Sequence, residues 1–148
     1  MIQAVYVISR SGIPIVVVDK GDEDSSFSDQ ALFSGILTAI QSAMEEIDVG
    51  VPKFVDTKKF EVFIELSDEI AVALLRKGDT TVERSLIHDI TSEILQTISD
   101  RFPNITEYNL LTEEQIDEIE LFVDEMIARG DKEIAKRKAT KIVSDSFW

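Results

Sequence analysis

The chain has 148 residues, enough for one ordinary domain with its own core, and its 44% hydrophobic and 30% charged content is that of a globular protein. It has no cysteine, which excludes a disulfide framework and any thiolate metal site. A net charge of −14 argues against non-specific nucleic-acid binding, which needs clustered Lys and Arg facing phosphates.

The opening segment IQAVYVIS (2–9) is rich in β-branched and aromatic residues and apolar on both faces, so it predicts a strand. Arg10-Ser11-Gly12 is a turn signal, and IPIVVVD (13–19) completes a predicted hairpin. Pro14 near the start of the second strand suits an edge position, where its missing N–H costs least. After the polar loop 20–26, Ser28 or Asp29 is positioned to cap a helix over about 29–48. Phe33, Ile36, Leu37, Ile40, Met44 and Ile47 form its expected apolar face. Three strands are expected next, at 53–57, 58–66 and 69–77, as a meander. In the middle one Phe60, Val62, Ile64 and Leu66 alternate with Glu61, Phe63 and Glu65.

A second helix is predicted over 80–101 with Val82, Leu86, Ile90, Ile94 and Ile98 on one face. Thr112-x-x-Gln115 reads as a capping box opening a third helix, 112–129, which Gly130 should stop. A basic final helix, about 131–144, completes the chain. Residues 131–148 hold five basic groups against three acidic ones, a net of +2, which leaves −16 on residues 1–130. The expected architecture is therefore an α+β domain: a five-stranded antiparallel sheet in β-β-α-β-β-β-α order, helices on both faces, and extra C-terminal helices. Residues 1–111 form the expected domain and 112–148 a helical extension packed on or beside it.

No apolar run reaches the roughly 20 residues that span a bilayer, and MIQAVYVISR has no basic n-region, so a cytoplasmic chain beginning at Met1 is expected. The single histidine, His88, falls away from the Val82–Leu86–Ile90 face and reads as a solvent-flank residue. Asp22-Glu23-Asp24 lacks the spacing of a calcium loop, and the six glycines form neither GxxxxGK[ST] nor GxGxxG. The expectation is no catalytic, metal or cofactor site.

Partner-binding features stand out instead. Ala31, Gly35, Ala39 and Ser42 make a flank of small residues along the first helix, and a helix-interior glycine costs about 1 kcal/mol relative to alanine. Either a second subunit or this chain's own sheet approaches there. Phe63 between Glu61 and Glu65 is either a contact aromatic or covered by the C-terminal helices. The basic end with Phe147-Trp148 gives only a weak signal for peripheral membrane contact.

The order of elements, with VYVISRSGIPIVVVD and LFSGILTAIQSAMEEI, resembles the longin/roadblock superfamily over about residues 1–105. Starting directly in a strand is similar to the longin order, and the texture also resembles archaeal members. The resemblance implies a non-enzymatic scaffold, a homo- or heterodimer with a similar domain, and a platform for small Ras-like GTPases in vesicle trafficking or signalling. By position it implies partner contacts from Ile13, Ile15, Val16 and Val18 of the hairpin and from Phe33, Gly35, Ala39 and Ser42 of the helix. Two alternatives stand beside it: a small-molecule sensor of profilin, PAS or GAF-like shape, and a SNARE-type longin domain in membrane fusion.

Overall fold

In the computed structural model the residues described are 2–21, 27–46, 48, 50, 53–77, 84–103, 105 and 111–146. Strand β1 (Ile2–Ser9) and β2 (Pro14–Asp19) form the hairpin. Gly12 adopts φ 87° in its turn, closed by Ser9 N–H donating to the Ile13 carbonyl at 2.9 Å. A Cβ at Gly12 would lie 3.1 Å from Thr38 Oγ1, so glycine answers both a dihedral and a steric demand here. Helix α1 (Phe27–Glu46) follows, then β3 (Phe54–Asp56), β4 (Phe60–Leu66), β5 (Ile70–Lys77), α2 (Arg84–Arg101) and α3 (Glu113–Ser146).

All five strands join one sheet in the order β2-β1-β5-β4-β3, and every pairing is antiparallel. The predicted fold class and order of elements therefore hold. β1 lies inside the sheet, which explains why it reads as apolar on two faces, and β5 beside it is buried on both as well. Pro14 falls on the edge strand β2, as its chemistry requires.

The two faces differ in side-chain size. Ala4, Tyr6, Ile8, Val62, Ile64, Ala71 and Ala73 pack with Leu37 of α1, and the three alanines make this a shallow layer. Val5, Val7, Phe63, Val72 and Leu74 meet α2 and α3 on the other face in the larger core. Leu86, Ile87, Ile90, Ile94 and Ile98 are the buried apolar side of α2, as its spacing predicts, and Val82 lies outside the described residues.

The C-terminal region departs from the sequence reading. The Thr112–Gln115 capping box forms, with Gln115 N–H donating to Thr112 Oγ1 at 3.2 Å and Thr112 N–H to Gln115 Oε1 at 3.0 Å. The helix does not stop at Gly130. It runs unbroken for 34 residues, so the two expected helices are one. Gly130 is buried, and a Cβ there would come within 2.8 Å of Ile2 Cδ1 and 3.2 Å of Ile90 Cδ1. Its role is close crossing of α3 over β1 and α2, not chain termination. Asp131 reinforces the crossing by accepting the Ile2 N–H at 2.8 Å. Gly130→Val should therefore cost about 1–3 kcal/mol by overpacking, despite removing a helix-interior glycine. Urea unfolding followed by circular dichroism measures this, and a stabilised variant would sink the close-packing account.

Candidate functional site

α1 presents two chemically different sides, and the division is not the one its spacing predicts. Leu37 is buried, and Phe33 is half-buried with its ring 4.7 Å from that of Tyr6. Ser34 is fully buried, while Gln41 and Met44 are half-buried. Burial, together with the charges of Asp19 and Asp29, pushes the Tyr6 phenol above its ordinary pKa of 10.0. Ile36 and Ile40, expected in the core, instead face outward at 50% and 39% exposure, with Leu32 at 63%. Ile47 lies outside the described residues. The physical reason is the narrow layer beneath: the alanine-rich face admits Phe33 and Leu37, but is too small to take a full apolar helix face.

Gly35, Ala39 and Ser42 are exposed beside that outward row, and Ala31 is half-buried. A Cβ built on Gly35 meets nothing within 4 Å, so no group among the described residues requires glycine there. The hairpin turn leans on the same helix, since a Cβ on Gly12 would lie 3.5 Å from Gly35 Cα. Next to it, Ile13 is 55% exposed. Leu32, Ile36, Ile40 and Ile13 are thus large apolar side chains left in water on one side of the molecule. At the other end of the strand order from β2, β3 is a sheet edge, bonded among the described residues to β4.

The other nominated positions fall elsewhere. Ile15, Val16 and Phe63 are buried in the larger core, and Val18 is half-buried against it. The side chains of Ile15 and Val16 build the fold and are not exposed for contact, which corrects the sequence reading, and of the two readings of Phe63 the structure shows the covered one. Phe63 is covered by α2: His88 meets its ring edge-on at 4.9 Å, and its Nδ1 lies 3.5 Å from Glu65 Oε1. His88 is therefore a half-buried packing residue and not a solvent-flank one.

A buried ion pair lies two residues along β4 from Phe63, on the same face. Arg76 Nε donates to Glu61 Oε1 at 3.0 Å, with both side chains almost fully buried, and the exposed Arg84 reaches Glu61 Oε2 at 2.9 Å. Arg76 and Arg84 also stack over Phe63 and Phe54, at 5.4 and 4.4 Å from the ring centroids. Counting outward from the β4–β5 turn puts Glu61 opposite Arg76, a register signal present in the sequence.

Between α1 and the end of the sheet lies a cavity of about 80 Å³ lined by Ser9, Arg10, Thr38, Gln41, Glu45 and Ala71, among others. Ligand sites usually occupy ≈ 300–1,000 Å³, so this recess has room for waters and little more. Among the described residues no group of three His, Cys, Asp or Glu side chains is placed to hold a metal, and no helix is long and apolar enough to cross a membrane.

A five-stranded antiparallel sheet ordered β2-β1-β5-β4-β3, with α1 on one face and α2 on the other, is the longin/roadblock fold. Among solved structures the chain is similar to the roadblock/LC7 domain from Streptomyces avermitilis, with TM-score 0.54 and 10% identity over 70% of this chain and 87% of that one. It is similar to Myxococcus xanthus MglB, with TM-score 0.56 and 11% identity over 72% and 80%. A chain in a homology model of the full-length AP-3 complex in a stretched open conformation matches with TM-score 0.59 and 14% identity, over 92% of this chain and 99% of that one. No family model matches the chain, and no curated protein matches it in sequence.

Proposed function

We propose that the chain is a non-enzymatic interaction domain that dimerises with a copy of itself or a similar domain, and serves as a platform or regulator for a small Ras-like GTPase. The observation that carries this reading is the outer side of α1, where Leu32, Ile36 and Ile40 stand in water beside a glycine whose Cβ direction is empty. Three large aliphatics on one exposed helix face are the composition of an interface core, and Gly35 lets another backbone approach. The similarity to a chain of the AP-3 complex supports an assembly role, and the GTPase follows from the longin/roadblock resemblance.

The test is a pull-down from lysate of the source cells on the purified chain, with GDP and then with a non-hydrolysable GTP analogue. The expected result is retention of a small GTPase identified by mass spectrometry, with its nucleotide preference separating regulator from effector. Absence of any GTPase in both states would remove that part of the reading.

A further inference from the structure

The outer face of α3 carries a second apolar row. The core side of the helix is Ile119, Val123, Met126, Ile127 and Ile134. Leu121, Ala128, Ala135 and Ile142 recur every seven residues on the opposite side, and all four are exposed, Leu121 at 62% and Ile142 at 68%. A straight α-helix drifts by about 20° per heptad, so the four stay on one face. Ile134 is the last described buried residue of the helix, so the row continues onto a stretch from 135 to 143 without a buried residue.

Charge is segregated along the same helix. Residues 113–125 hold seven acidic groups and no basic one, and residues 129–141 hold six basic groups against two acidic. Run backwards in the register that pairs the apolar row, the basic stretch 136–141 of one copy passes residues 122–127 of the other, which hold Asp124 and Glu125 and no basic group. An antiparallel copy centred between residues 131 and 132 sets Leu121 against Ile142 of the second copy and Ala128 against Ala135, at both ends of a two-fold axis. Glu125 then falls level with Lys138 of the second copy. A parallel copy would set acid against acid and base against base. The alanines near the axis let the helices approach to about 8 Å.

We infer that α3 is a self-association surface whose occupant is the α3 helix of a second copy of this chain, docked antiparallel. This face is separate from the outer side of α1 and independent of the function proposed above. Two different two-fold surfaces on one chain generate a tetramer or a longer array.

Because the chain lacks cysteine, disulfide trapping reads the geometry directly. Chains carrying Ala128→Cys and chains carrying Ala135→Cys are mixed under mild oxidation, in the full-length protein. The expected result is a covalent mixed dimer, lost when both chains also carry Ile142→Asp, an exposed position whose change leaves the fold intact. Ala128→Cys alone should not cross-link, since in this pairing its equivalents lie about 10 Å apart along the axis, beyond disulfide reach. Self-cross-linking of Ala128→Cys would mean parallel pairing and would overturn the proposal. So would no cross-link at all, or Ile142-dependent binding of the uncross-linked chain to phosphatidylserine vesicles. Repeating the experiment with Ile36→Glu in both chains separates this surface from that of α1, and the mixed dimer should persist.

Discussion

Glu61→Ala is expected to lower the free energy of unfolding by roughly 3–5 kcal/mol, a large part of a small domain's stability. Glu61 is 4% exposed and Arg76 1%, so the guanidinium has left water and depends on protein partners. Removing the carboxylate takes away the 3.0 Å charge-assisted bond and leaves a cation facing the Phe63 ring in the core. The loss of the Arg84 contact adds little, because that side chain is 54% exposed and its ion pair is screened by solvent. The loss should therefore track Arg76. Replacing the pair together, Glu61→Leu with Arg76→Met, should restore most of the lost stability, since a buried pair competes poorly with apolar packing of similar volume. Urea unfolding of wild type, Glu61→Leu, Arg76→Met and the double variant completes the cycle. A Glu61→Ala loss under about 1 kcal/mol would show that the pair is effectively solvated.

The sheet was legible because its strands carry strong local signals: β-branched runs bounded by turns, and a period of two in β4. The faces of α1 were not legible, because periodicity finds an apolar stripe without revealing how much of it the sheet admits. Here Ala4, Ala71 and Ala73 leave a layer that takes Phe33 and Leu37 but leaves Ile36 and Ile40 outside. Gly130 misled for a related reason. Glycine after a basic residue resembles a helix stop, but it equally marks a close crossing, and only the positions of Ile2 and Ile90 distinguish the two. The Glu61–Arg76 pair was accessible by register counting, although its burial depends on α2, which lies beyond any pairwise strand argument.

With the α3 surface silenced by Ile142→Asp, Ile36→Glu combined with Ile40→Glu should turn the remaining dimer into a folded monomer. Both side chains are at least 39% exposed, so the fold does not depend on them, and far-UV circular dichroism should be unchanged. Full burial of an isoleucine is worth about 1.5–3 kcal/mol. A symmetric interface would lose two from each protomer, so even about 1 kcal/mol apiece weakens association on the order of a thousandfold. That moves a micromolar dimer beyond the range of light scattering. Gly35→Arg should have the same effect by another route: its Cβ enters open space in the monomer, but the side chain fills the gap a second backbone needs. Gly35→Ala is the sensitive control. It should stabilise the isolated helix by up to about 1 kcal/mol, so a variant that unfolds later yet dimerises more weakly would locate the contact at Gly35. Each chain carries a net charge of −14, so repulsion opposes the dimer and added salt should tighten it. An unchanged dimer mass when the two glutamates are added to the Ile142→Asp chain would remove α1 from the interface.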